Sequence, residues 1–235
     1  MKMLADRPVI VATGMDFEAR LAEKHGGARA VYGQNRPRLF HELHTHARTG
    51  ARGVLSFGTA GGLLPALKPG DIVVATTVLT AEGVFDTDAR WTQSLLRALP
   101  HAYAMPVYGS EAPVVSALEK EALASSTGAA AVDMESQVAA AVAADHALPF
   151  AVLRVVIDPA ERAVPVSAIA GVREDGTTDI GAVLRSLLRH PGDIPGIIRL
   201  AGDSQKARQA LADCRKTLGP LFGLLDPVEV PQSIE

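Results

Sequence analysis

Residues 129–159 read AAAVDMESQVAAAVAADHALPFAVLRVVIDP. The pattern predicts a short buried strand, a helix and a second buried strand. Each strand leaves the core at acidic residues. The first ends at Asp133-Met134-Glu135 and the second at Asp158-Pro159. In an α/β sheet, ligands bind at the carboxyl ends of the strands. Two carboxylates, Glu135 and Asp158, brought to one such edge suit acid/base work or the holding of hydroxyl groups.

The pattern continues on both sides. Pro8 to Thr13 reads as a central strand ended by Gly14, with a helix from Asp16 to Lys24. An edge strand over Ala28 to Gly33 and a helix over Gln34 to Thr49 follow. Gly53 to Phe57 is a buried strand running into a glycine-rich turn, Gly58-Thr59-Ala60-Gly61-Gly62-Leu63. Its spacing fits neither a Walker loop nor a dinucleotide fingerprint. Glycines admit a ligand close to the backbone, and Thr59 offers a hydroxyl to a substrate oxygen.

Asp71 to Ala75 is a third strand, Thr76 to Asp88 is irregular, and Ala89 to Leu99 is a helix holding the one tryptophan, Trp91. Tyr103 to Gly109 and Ala112 to Val115 read as strand pieces. Ser116 and Glu119 form a capping box opening a helix to Ser126. Glu161 to Gly176 is a loop around the site. Two helices, Asp179 to His190 and Ile194 to Leu218, precede a frayed tail from Asp226. The alternation of strands and helices predicts one α/β domain over residues 1–235, doubly wound, with a mainly parallel mixed sheet flanked by helices. Residues 159–235 supply its loop and C-terminal helices.

Composition narrows the function classes. A chain of 235 residues with 48% hydrophobic and 21% charged residues builds an ordinary core. A net charge of −3 argues against a nucleic-acid partner. The single cysteine, Cys214, excludes an intrachain disulfide and fits a reducing cytoplasm. No apolar run reaches the ~18 residues of a membrane span. Met1 to Pro8 is too polar for a signal peptide. His41, His44 and His46 lack the spacing and the completing ligands of a metal site, so no metal is expected.

Val-Asp-Met-Glu-Ser at 132–136, an Ala-rich helix, and Pro-Phe-Ala-Val-Leu-Arg-Val-Val-Ile-Asp at 149–158 together resemble the C-terminal signature of the nucleoside phosphorylase and nucleosidase superfamily. Phe57-Gly-Thr-Ala-Gly-Gly-Leu63 resembles its Gly-Ser-Ala-Gly-Gly loop, and Pro69-Gly-Asp-Ile-Val-Val74 also fits. The nearest branch is the methylthioadenosine/S-adenosylhomocysteine nucleosidases, over Val9 to Pro159. The whole chain most resembles the hopanoid-associated phosphorylases, proposed to remove adenine from adenosylhopane.

The resemblance implies cleavage of a purine N-glycosidic bond. It makes Asp158 the acid at purine N7, and Glu135 the carboxylate on the ribose hydroxyls, with Met134 on the sugar face. Gly58, Thr59 and Val132 border the substrate. Glu18 matches the glutamate that activates water, where hexameric phosphorylases carry a phosphate-binding arginine. Ser56 replaces a second such arginine, and Arg154 matches an arginine beside the attacking water. Hydrolysis is therefore expected, with no cofactor. Phosphorolysis stays open, with inorganic phosphate as co-substrate and Arg20 as a nearby cation.

Two positions depart from the pattern. The aromatic that stacks on the purine falls near Ser126, and the serine before the acid is Ile157. Without the resemblance, Asp158-Pro159 can be a turn start, Glu18 a solvated helix residue, and Asp133 and Glu135 first-turn residues favoured by the helix dipole. The remaining expectations are a lipid-linked nucleoside substrate, peripheral membrane contact through the C-terminal helices, and a homodimer. The alternatives are a smaller substrate such as methylthioadenosine, or a non-catalytic nucleoside-binding pathway protein.

Overall fold

The computed structural model describes residues 7–173 and 175–225; the tail from Asp226 lies outside them. Strand β1 (Val9–Thr13) is buried along its whole length. It pairs in parallel with β2 (Ala28–Tyr32) and β3 (Gly53–Gly62). Helices α1 (Asp16–Glu23) and α2 (Arg36–Thr49) make the crossovers. The alternation of side chains along β1 splits the core. Ile10 and Ala12 pack with Leu39 and Leu43 of α2 and with Val138, Ala139 and Val142. Val9 and Val11 pack on the other face with Trp91, Leu95, Ala207 and Leu211.

The later strands are β4 (Ile72–Leu79), β5 (Val84–Asp86), β6 (Tyr103–Gly109), β7 (Ala131–Asp133) and β8 (Phe150–Asp158). The helices among them are α3 (Ala89–Ala98), α4 (Ala117–Thr127) and α5 (Ser136–Asp145). Beyond β8 come α6 (Val166–Ile169), α7 (Ile180–Arg189) and α8 (Ile194–Leu218). The pairs β1–β2, β1–β3, β3–β8, β4–β6 and β6–β7 are parallel; β3–β7, β4–β5 and β4–β8 are antiparallel. The mixed, mainly parallel sheet is as expected, but an open doubly wound sheet is not. Pairings β3–β7–β6–β4–β8–β3 close a ring. Breaks in register at Ala60/Gly61 in β3 and between Ala75 and Val78 in β4 let these strands change neighbours.

Three local expectations need correction. Gly58 to Gly62 is not a turn but the second half of β3. It is paired to β8 at Gly58↔Arg154 and to β7 at Gly61↔Val132, so its backbone groups find partners on both sides. Thr76 to Asp88 is partly regular, because β4 continues to Leu79 and folds back on β5. Ala112 to Val115 forms no strand. The Ser116–Glu119 capping box is present, each residue's side chain accepting from the other's backbone N–H at 3.1 Å. The loop after β8 carries the short helix α6 and reaches back to the β1–α1 corner, where Gly176 O accepts from Asp16 N at 3.1 Å.

Small side chains set the layer spacing. Helix α5 buries seven of its ten residues, chiefly Ala and Val, against the sheet. Trp91 is buried, donates from Nε1 to Phe222 O at 2.8 Å, and fills the opposite layer under α8. Replacing it with Ala would cost about 3–5 kcal/mol. Arg215, also buried, donates to Ala22 O at 2.7 Å and Gly26 O at 2.9 Å. The second half of α8 is thereby tied to α1, so this helix belongs to the core.

Candidate active site

Parallel strands β1, β3 and β8 end at one edge of the sheet, and the chain places its buried carboxylates there. Glu18 is the third residue of α1, and its carboxylate turns back over the helix N-terminus. Oε2 accepts from Gly14 N and Met15 N, both at 3.1 Å. Oε1 accepts from Thr59 N and Thr59 Oγ1, both at 2.8 Å. Glu18 is therefore no solvated helix residue; its exposure is 1%. Burial pushes its pKa up, against the pull of Arg154 and these hydrogen bonds.

Arg154 is completely buried on β8. Its Nε lies 3.0 Å from Asp133 Oδ2, and Nη2 donates to Asp133 Oδ1 at 3.1 Å. Nη1 lies 3.2 Å from Glu135 Oε2 and donates to Thr59 O at 3.3 Å. Nη2 also donates to Ser56, whose hydroxyl accepts from Ser136 Oγ at 3.0 Å. Three buried carboxylates, Glu18, Asp133 and Glu135, thus surround one guanidinium. Glu135 is pushed up to about 8, first by burial and then by Asp133 and Glu18, with Arg154 opposing. Sharing one cation among three acids leaves Glu135 holding a proton near neutral pH.

Two glycines make the room. A Cβ at Gly58 would lie 2.7 Å from Glu18 Oε2 and 2.9 Å from Arg154 Nη1. A Cβ at Gly14 would lie 2.6 Å from Glu135 Oε1. The glycine-rich motif therefore serves the packing of side chains, besides any closeness to a ligand.

Asp158 ends β8 on the same edge, opposite Gly61 of β3. Val132 flanks it: a Cβ at Gly61 would lie 3.4 Å from Val132 Cγ1 and 3.6 Å from Asp158 Oδ1. The Asp158 carboxylate forms an ion pair with Lys120, which is fully buried on α4. Burial raises the pKa of Asp158, and Lys120 pulls it back. Beside it opens a cavity of about 250 Å³, lined by Asp158, Arg162, Pro165, Arg199, Leu200 and Asp203 among others. Met134 is half-buried between Asp133 and Glu135.

The chain belongs to the phosphorylase superfamily. The superfamily's sequence profile matches residues 5–189. Futalosine hydrolase of Helicobacter pylori superposes with a TM-score of 0.66 at 17% identity, over 93% of this chain and 98% of that one. The 5′-methylthioadenosine/S-adenosylhomocysteine nucleosidase of Campylobacter jejuni gives 0.58 at 16% identity, over 66% and 86%. The same nucleosidase of H. pylori, in complex with an aminopyrrolopyrimidine–pyrrolidinol, gives 0.57 at 20%, over 66% and 87%. At these identities the likeness is one of fold. No curated protein matches the chain.

This superfamily member also shows what the sequence reading passed over. Asp133, read as a plain first-turn residue, does cap α5, accepting from Glu135 N at 2.9 Å and Ser136 N at 2.7 Å. The same carboxylate is the main partner of Arg154. Lys120 lies on a helix rich in polar residues, where a lysine reads as a solvated surface group. The signal for it was a lysine one position past the capping glutamate, on the helix facing the exit of β8. Arg20 points away: it is 70% exposed and paired with Asp16 at 2.6 Å. Ser126 is exposed at the end of α4. His44 packs edge-on against His146 at 4.5 Å. Cys214 is buried, which pushes its thiol up to about 12 and keeps it unreactive.

Proposed function

We propose that the chain hydrolyses the N-glycosidic bond of a purine nucleoside. The observation that carries this reading is the buried Glu18, held by four donors at the β1 corner, in a cluster with Glu135 and Arg154. The reaction makes the sugar cationic and the departing purine electron-rich. Glu18, its basicity raised by burial, takes a proton from water as the water oxygen bonds to C1′. Glu135 holds the ribose hydroxyls, with Met134, Val132 and the Gly58–Thr59 backbone around the sugar. Asp158, on the far side, serves the purine N7.

Electrostatics supports hydrolysis over phosphorolysis. A phosphate would meet the buried carboxyl groups of Glu18, Asp133 and Glu135 and one guanidinium already committed to them. Arg20 is spent at the surface on Asp16. Binding a dianion there would require cations that this cluster does not offer. The test is release of free adenine from adenosine, methylthioadenosine and a long-chain 5′-substituted adenosine, each with and without inorganic phosphate. A phosphate-independent rate is expected. A rate that requires phosphate overturns hydrolysis, and no release from any of the three favours a non-catalytic nucleoside-binding role.

For the 5′ substituent we propose an extended apolar group, adenosylhopane being the resemblance-based candidate, and a peripheral membrane contact. Helix α7 supports this. Ile180, Leu184 and Leu188 form an exposed i, i+4, i+8 stripe, at 69%, 58% and 86% exposure. Arg185 and Arg189 share that helix and Arg199 lies on α8, a pairing suited to an anionic lipid surface. Among the described residues, no helix is long and apolar enough to cross a membrane. Deleting Pro191 to Glu235 would not test this, since α8 contributes Ala207, Leu211 and Leu218 to the core. Serine at 180, 184 and 188 should instead lower turnover of the long-chain substrate and leave methylthioadenosine unaffected. Equal rates on both would reject the lipid reading. A homodimer in a cytoplasmic setting completes the proposal, checked by the solution mass.

A further inference from the structure

The proposed reaction asks Asp158 to supply a proton, yet the structure pairs that carboxylate with an ammonium group. Lys120 is 0% exposed on α4. Its Nζ donates to Asp158 Oδ2, to Pro159 O at 3.0 Å and to Arg162 O at 2.9 Å. Three acceptors require three N–H donors, which lysine has only as the ammonium. A merely structural ion pair in so buried a place is an expensive way to tie α4 to the β8 exit, because desolvation offsets most of the attraction. The two backbone carbonyls belong to the loop that lines the cavity beside Asp158.

We propose that Lys120 is a positioning residue and proton partner for Asp158. This deepens the reading above and rests on it. The ammonium aims the carboxylate, and the pair, rather than Asp158 alone, supplies the proton. As C1′–N9 breaks, its electron pair stays with the purine. N7 takes a proton that Asp158 relays from Lys120 Nζ, leaving a neutral amine beside the carboxylate. The water oxygen bonds to C1′ and its proton passes to Glu18. The pair regains its proton, and Glu18 loses one, through solvent after the products leave. Atoms and charge balance with water as the only co-reactant.

The carboxylate is faced by Lys120 from α4, by Arg162 from the following loop and by Asp203 from α8, with Arg162 Nη1 held 2.8 Å from Asp203 Oδ2. In the wild type the deliverable proton sits on Lys120, whose three donated hydrogen bonds require the ammonium form. In Lys120→Met only a protonated Asp158 can deliver, so the alkaline limb of the pH profile must move down. The expected result is a kcat lower by about 10²-fold, with KM nearly unchanged and the alkaline limb at least one pH unit lower. In the Asp158→Asn background, Lys120→Met should add almost nothing, since the two act as one unit.

Lys120→Met that keeps the wild-type pH profile, or costs as much in the Asp158→Asn background as alone, overturns the inference. If Lys120→Met does not fold by circular dichroism, Lys120→Gln removes the charge while keeping donors for the two carbonyls, and its pH profile decides in the same way. Failure of the wild type to release adenine from any nucleoside sinks the parent reading and this inference with it. Wild-type turnover with an unaltered Lys120 variant sinks the inference alone.

Discussion

Gly14 and Glu135 occupy space that a single extra carbon would contest: a Cβ on Gly14 would stand 2.6 Å from Glu135 Oε1 and 3.1 Å from its Cδ. The Gly14 N–H meanwhile donates to Glu18 Oε2 at 3.1 Å. One residue with no side chain therefore sets the spacing of two site carboxylates. The atom that must yield is the end of a side chain, so Gly14→Ala should fold. It should displace the Glu135 carboxylate by about an ångström and lower kcat/KM by about 10²-fold. Circular dichroism with steady-state kinetics checks this, and near-normal turnover would remove Glu135 from its role.

Glu135 gives a signed pH prediction. Its pKa stands at about 8 in the folded chain against an ordinary 4.5. Between those values the folded state keeps a proton that the unfolded chain has lost. Stability from this group is thus complete below the unfolded value and drains as pH rises towards 8, at up to about 1.4 kcal/mol per pH unit. Glu135→Gln should flatten that slope between pH 5 and 8 in urea titrations. Glu18 and Asp158, shifted in the same direction, should leave a residual slope. An unchanged slope in the variant would contradict the protonated Glu135.

Arg154 is the cation on which three buried acids depend. Arg154→Met leaves the buried side chains of Asp133, Glu135 and Glu18 without the cation they share. Breaking a buried pair from one side costs about 3–5 kcal/mol. The expected outcome is a loss of that order at pH 7, partly regained at pH 5, where Glu18, its pKa raised by burial, takes up a proton more readily. Denaturant midpoints at the two pH values decide it. A loss independent of pH would mean that packing, not charge, is what the variant disturbs.

Thr59 tunes Glu18. Four donors occupy the four acceptor sites of that carboxylate, and the Thr59 hydroxyl is the one that can rotate away to admit a water. Its hydrogen bond also lowers the Glu18 pKa. Thr59→Val removes both effects. The acid limb of kcat/KM should move to higher pH, because a base with a raised pKa is neutralised sooner as pH falls. A limb that stays in place would exclude Glu18 as the titrating base.

Much of this arrangement was legible in the order of residues. Apolar runs at Val9–Thr13 and Phe150–Asp158 announced buried strands, and the Ser116–Glu119 box announced a helix start, because both signals are local. Gly58 to Gly62 misled, because glycines favour turns only when neighbours do not claim the backbone, and here β7 and β8 both do.

Residue order by itself determined the strand–helix alternation and the sheet edge to which Glu135 and Asp158 are delivered, and its resemblance to the superfamily added Glu18 and Arg154 as residues to watch. The tertiary structure alone decided that β3 and β4 bend to close a ring, that Asp133 and not only Glu135 holds Arg154, and that Lys120 meets Asp158. The reason is physical. Periodicity and capping act over a few residues of chain, whereas the protonation and aim of a buried charge are set by groups that only folding brings within about 3 Å.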